Sequence, residues 1–197
     1  LYITDDGNNR VRKIDAQKIN ITSNVGSGGT YTVDLTSETL TQMQGVAGSL
    51  VTVNAGKTLN YTGGSDTYHG DFTSADATAT FGFNSSGTFT MDGTFTGFTG
   101  TTTLSGGTLQ FSNATGANNY LGGDINLTAG TLSGVTQIAA SKTLTYSGGT
   151  LTPRSNTFAV NGTLAFTNAG AITYSDALTG SGNVTKSGAG TTTLNGT

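Results

Sequence analysis

Short runs in which apolar and polar residues alternate recur along the whole chain, at 19–21, 50–53, 88–91, 94–98, 101–104, 125–127, 144–146, 158–160 and 164–166. A period of two places apolar side chains on one face of a strand and polar ones on the other, so each run predicts a short β-strand with two differently solvated faces. Gly63-Gly64, Asp92-Gly93, Gly106-Gly107, Gly122-Gly123, Gly148-Gly149 and Asn161-Gly162 punctuate the runs as turns.

A phrase of the form Gly-x-Leu, or its relative Lys-x-Leu, recurs at Lys57-Thr58-Leu59, Gly107-Thr108-Leu109, Gly130-Thr131-Leu132, Lys142-Thr143-Leu144, Gly149-Thr150-Leu151 and Gly162-Thr163-Leu164. The steps from Leu109 to Leu132, Leu132 to Leu151 and Leu144 to Leu164 are about 20 residues, a period that signals stacked repeats. Such units bury little alone, but a column of them shares one apolar interior and bonds each strand to those above and below. The expected fold is therefore all-β, a parallel β-helix or β-solenoid with irregular rungs and Gly/Asn turns, with Leu, Val, Ile and Phe inward and Thr, Ser and Asn outward. Antiparallel hairpin sheets are the alternative, since Asn-Gly and Gly-Gly also close hairpins. Uneven strand spacing and the recurring phrase favour rungs.

Composition sharpens this picture. The 197 residues are 34% hydrophobic and 10% charged, with 31 Gly, one Pro and neither Trp nor Cys. Thr makes up about a fifth, far above ordinary usage. Abundant β-branched and aromatic residues argue for strands rather than disorder. The net charge is −3, and the one basic group, Arg10, Arg12 and Lys13, stands beside Asp5, Asp6 and Asp15, so nucleic acid is not an expected partner. No apolar run is long enough for a membrane-spanning helix, and no signal-peptide pattern opens the chain. Leu1 begins in mid-strand pattern, as in a window cut from a longer protein. The lack of Cys excludes thiol nucleophiles and Cys-based zinc sites.

Two stretches resemble known families. Leu178-Thr-Gly-Ser-Gly-Asn-Val-Thr-Lys-Ser-Gly-Ala-Gly-Thr-Thr-Thr-Leu194 is similar to the passenger-associated strand repeat of bacterial autotransporters. Phe95-Thr-Gly-Phe-Thr-Gly-Thr-Thr-Thr-Leu-Ser-Gly-Gly-Thr-Leu109 resembles the second half of the same repeat. The resemblance implies a right-handed parallel β-helix on a bacterial surface, exported by a secretion system. Gly180, Gly182, Gly188 and Gly190 are expected to supply positive-φ turns around a solvated Lys186. At the other end, Leu1-Tyr-Ile-Thr-Asp-Asp-Gly-Asn-Asn-Arg-Val-Arg-Lys-Ile-Asp15 resembles one hairpin of an NHL-type β-propeller blade, with 5–9 as a polar turn. The expected organisation is thus a blade-like hairpin at 1–15, irregular solenoid rungs at 16–93 and autotransporter-type rungs at 94–197.

Candidate chemistry is sparse. Asp66, Asp71 and Asp76 near His69 are the carboxylates to weigh for glycoside cleavage, but their spacing does not put them in register on one strand face, and a polar loop is the favoured reading. His69 is the only histidine, which excludes a multi-histidine metal site. Gly63-Gly64-Ser65-Asp66 and Gly122-Gly123-Asp124 echo fragments of a calcium-binding nonapeptide without its period, so no metal or other cofactor is expected. Tyr61, Tyr68, Phe72 and Phe81 are the aromatics that would stack on sugars, with core filling as the favoured reading. Thr-x-Thr pairs at Thr78/Thr80, Thr88/Thr90, Thr94/Thr96, Thr101/Thr103, Thr143/Thr145 and Thr191/Thr193 resemble the hydroxyl arrays of ice-binding solenoids, but their irregular spacing argues against one continuous array. Eight Asn-x-Ser/Thr triplets read as polar turns in a bacterial protein and as glycan acceptors in a eukaryotic one.

Together these readings point to a secreted or bacterial cell-surface solenoid with a structural or adhesive role, a stalk or a filament or sheath subunit, and no catalysis. End-to-end self-association and surface glycans are the expected partners. A carbohydrate-binding or carbohydrate-cleaving β-helix module is the alternative.

Overall fold

The computed structural model describes residues 29–114 and 119–196, together with the backbone of strands Tyr2–Asp5, Arg10–Lys13 and Lys18–Ile21. The described residues contain strands and turns and no helix. From Thr30 onward they wind as a β-solenoid of about 8 turns, each with three sides. The first face collects Thr30–Val33, Leu50–Val53, Asp71–Ser74, Gln137–Ile138, Thr157–Val160 and Ala177–Thr179. The second collects Ser37–Leu40, Thr58–Tyr61, Ile125–Leu127, Thr143–Tyr146, Thr163–Phe166 and Asn183–Lys186. The third collects Lys18–Ile21, Gln42–Gly45, Asp66–Tyr68, Thr131–Val135 and Thr150–Pro153, followed by Ile172–Tyr174 and Thr192–Leu194, which pair with each other. Two long strands, Thr80–Met91 and Thr101–Phe111, cross the corner from the second face to the third and unite these faces in one 13-stranded sheet.

Every described pairing within the stack is parallel, and register holds apart from shifts between Phe83 and Thr88 and between Ser133 and Val135. The sole antiparallel pair among the described strands joins Tyr2–Asp5 to Arg10–Lys13, where the blade-like hairpin is expected; its turn lies outside the described residues. The step between paired residues varies from that of Val135 to Pro153 up to that of Lys18 to Gln42, so the rungs are irregular in length. The same stack runs without a break across residue 93.

The recurring Leu phrase finds its meaning in this register. Leu109, Leu132 and Leu151 stack on the third face, and Leu144 and Leu164 on the second. Inward positions are buried and outward ones half-exposed, as in Leu50–Val53, Thr58–Tyr61 and Thr163–Phe166. The Gly of the phrase turns the corner onto the third face. Gly107, Gly130 and Gly149 have φ of 68°, 74° and 81°, and a Cβ on Gly130 would lie 2.5 Å from the Gly107 carbonyl oxygen. Only glycine meets both demands, a left-handed backbone and direct contact with the turn below.

Of the four glycines expected to supply positive φ near the C-terminal end, only Gly180 does, at 96°. Gly182, Gly188 and Gly190 are required by crowding instead: a Cβ there would fall 2.0, 2.3 and 1.9 Å from carbonyl oxygens of the preceding turn. Lys186 is exposed, as expected, and its ammonium donates to the Gly188 carbonyl.

The strand expected at 94–98 is a turn. Phe95 and Phe98 are both fully buried, and a strand cannot send residues three apart to the same side. The chain bends, Phe98 N–H donating to the Phe95 carbonyl (3.1 Å), and still bonds the rung below through Phe72 N–H to the Thr94 carbonyl (2.9 Å). The two rings flank Phe72: Phe95 stacks on it at 4.5 Å and 10°, and Phe98 lies tilted at 5.1 Å. Tyr61, Phe81, Phe83 and Phe89 extend this aromatic block through the second to fourth turns, and Leu, Ile and Val share the interior of the later ones with Tyr146, Phe158, Phe166 and Tyr174.

Two outcomes follow from this core. Phe72→Ala is expected to cost about 3–5 kcal/mol in a urea titration, the range for emptying a buried aromatic site, whereas Thr145→Ala on the outer surface should stay within about 0.5 kcal/mol. Burial raises the phenols of Tyr31, Tyr61, Tyr68, Tyr146 and Tyr174 above their ordinary value of 10.0, with neighbouring carboxylates adding to the effect at Tyr31, Tyr61, Tyr68 and Tyr174. A phenol that ionises later folded than unfolded contributes stability that is complete below pH 10 and drains away as pH rises through the folded value. Phenolate absorbance of these tyrosines should therefore appear together with loss of β circular dichroism above pH 10; ionisation with the fold intact would contradict the burial.

Candidate functional site

On the third face, the strands Gln42–Gly45, Asp66–Tyr68 and the second half of Thr80–Met91 form the wall of an open groove of about 610 Å³. Its lining is Gln44, Gly45, Val46, Ser65, Asp66, Thr67, His69, Thr88 and Thr90. Thr67 pairs with Thr90, and the Gly45–Tyr68 pairing sets Gln44 on the other side of Thr67, so one outward polar side chain stands on each of three successive rungs.

Asp66 occupies an inward slot of this wall, where its register partner is Phe89. A buried carboxylate survives only with its oxygens engaged. Here Oδ2 accepts from Met43 N–H (2.8 Å) and from the Tyr61 hydroxyl (3.2 Å), and Oδ1 accepts from Gln44 Nε2 (2.7 Å). The side chain thus binds a backbone N–H of the neighbouring rung and anchors the Gln44 amide at the groove surface. The same carboxylate reinforces the effect of burial in raising the Tyr61 phenol.

His69 follows the strand at the groove margin, 51% exposed, with Nδ1 at 2.5 Å from Asp92 Oδ2 one turn onward. A carboxylate only accepts, so Nδ1 carries the proton of this bond.

The carboxylates considered for catalysis do not converge. Asp66 is committed as described. Asp71 Oδ1 accepts from Thr94 N–H (2.9 Å) at the start of a first-face strand. Asp76, between strands Asp71–Ser74 and Thr80–Met91, accepts from the hydroxyl (2.6 Å) and N–H (2.8 Å) of Thr78, bonds that hold its carboxyl below the ordinary range.

The aromatics considered for sugar stacking fill the core, the favoured reading, and their burial overturns the alternative of surface contact. Tyr61, Tyr68, Phe72 and Phe81 are inward residues with no exposed surface, and offer no ring to a ligand on the outside. Tyr68 directs its hydroxyl to the Asp71 carbonyl (3.3 Å). The calcium-like fragments are also otherwise engaged: Asp124 Oδ1 accepts from Thr143 N–H (2.7 Å), and the described residues hold no group of three or more His, Asp or Glu side chains placed to bind a metal.

The irregular spacing of the Thr pairs does not prevent a continuous row. Thr88, Thr108, Thr131 and Thr150 are register partners on four consecutive rungs of the third face, because corner loops absorb the differences in length. Comparison with protein families, curated proteins and solved structures yields no match.

Sequence reasoning named Asp66 and His69 in this region but missed Gln44, Thr67 and the His69–Asp92 pair. The one signal available was distance along the chain: Asp92 lies 23 residues after His69, close to one turn.

Asp66→Ala is expected to cost about 2–4 kcal/mol in denaturant unfolding, since it leaves the Met43 N–H buried without an acceptor, while the Tyr61 hydroxyl keeps the Gly64 carbonyl (3.1 Å). Asp66→Asn should cost less, because an amide oxygen still accepts from Met43 N–H. Equal midpoints for all three proteins would show that these bonds do not hold the first two turns together.

Proposed function

We propose that the chain is a structural and adhesive segment of a secreted or bacterial cell-surface protein, without catalytic activity. The observation that carries this reading is the third face: from Gln42 to Thr152 its outward strand positions are Gln, Thr and Ser, aligned rung upon rung, with no ionisable side chain among them. Such a surface is hydrated, uncharged and repetitive, suited to many weak contacts summed along a stiff rod. The carboxylates that hydrolysis would need are spent on local donors. The likeness of 178–194 to the autotransporter strand repeat supports an exported surface role, and that stretch builds two strands of the eighth turn.

Displayed on a non-adherent bacterium, the chain should raise retention under flow above that given by an inert solenoid of similar length. Equal retention, or release of soluble sugar from a polysaccharide by the purified chain, would overturn the proposal.

A further inference from the structure

We infer that the groove over Gln44, Thr67 and Thr90 binds a neutral, hydroxyl-rich polysaccharide lying along the solenoid axis. This inference rests on the adhesive reading and names its partner.

Charge limits the ligand first. The groove holds one carboxylate, Asp66, which is 8% exposed with both oxygens bonded, and one imidazole, which faces the Asp92 carboxylate. Lys57 and Lys142 stand at the corner between first and second faces, and Arg154 donates to the Asn113 and Ala114 carbonyls, so among the described side chains no cation lines the groove to hold a uronate, sulfate or phosphate polymer. A neutral chain suffers no such mismatch.

Shape and chemistry then favour a glycan. The volume lies within the range of small-ligand sites, and the open profile lets a polymer pass through. Rungs are about 4.8 Å apart, close to the length of one sugar unit in an extended chain, so successive units meet equivalent groups. Thr67 and Thr90 hydroxyls both donate and accept. With Nε2 of Gln44 turned to Asp66, its Oε1 remains an acceptor for sugar hydroxyls. Val46, 40% exposed at the groove, supplies an apolar patch for the C–H face of a ring, the part that the buried tyrosines cannot play.

The site is also set before any ligand arrives. Gln44 is fixed by Asp66 and His69 by Asp92, and Thr67 and Thr90 sit on paired strands. Binding therefore orders few side chains, which lowers its entropic cost.

The test is sedimentation of the full chain with microcrystalline cellulose, chitin and insoluble β-1,3-glucan, and affinity electrophoresis in polygalacturonate as the charged comparator. Retention on at least one neutral polymer and none on polygalacturonate is expected. The double variant Thr67→Arg/Thr90→Arg should bind that polymer about tenfold or more weakly, while Thr145→Arg on the second face binds as the parent does. Circular dichroism and the urea midpoint check that both variants keep the fold; a groove variant that fails to fold is replaced by Gln44→Ala, with the same loss expected. Retention on no neutral polymer, undiminished retention in the folded groove variant, or preference for polygalacturonate overturns the inference. Flow adhesion of displayed cells separates the two readings: adhesion that survives Thr67→Arg/Thr90→Arg without polymer binding sinks the groove alone, and absent adhesion in the parent chain sinks the adhesive role.

Discussion

Each rung of this protein hands its backbone hydrogen bonds to the next, and parallel pairing demands that the residues so joined lie side by side. A parallel ladder gives no freedom to slip by one residue, because the slip would turn every apolar side chain outward. Once register is held, like meets like up the axis: Leu over Leu, ring over ring, Thr over Thr. The aromatic block, the corner glycines and the polar outer rows are consequences of this alignment.

What cannot be held in register is pushed to the corners. Rung length varies, yet strands stay matched because loops between faces take up the surplus. Where a ladder bond between rungs is replaced, a side chain supplies it, as the Asp66 carboxylate does for Met43 N–H. The groove is built around that substitution, since the carboxylate which completes the wall also holds Gln44 at its surface.

The alternation of Thr88-Phe89-Thr90-Met91 and the repeated Leu phrase were enough to read strand faces, the stacked fold and the inward aromatics. They read well because parity and period are local properties of a chain. The segment 94–98 misled for a local reason too: Phe95 and Phe98 have the wrong spacing for one strand face, and the bend that buries both was not inferred. The outward Thr row and the His69–Asp92 pair were illegible because they depend on how far the chain travels per turn at each place. An Asp in an apolar slot is equally opaque until the donor opposite it is known.

The two strands that run unbroken around a corner, Thr80–Met91 and Thr101–Phe111, give the rod an uneven mechanical character. Elsewhere a turn is three short strands linked by loops, each able to peel from its neighbour one side at a time. Here two sides must detach together, with the densest ring packing beneath them. Under tension along the axis, turns built of short strands open before these two, which act as a clamp that arrests the rupture. A rod pulled in this way would thus lengthen by opening its short-stranded turns while the stretch beside the groove stays folded.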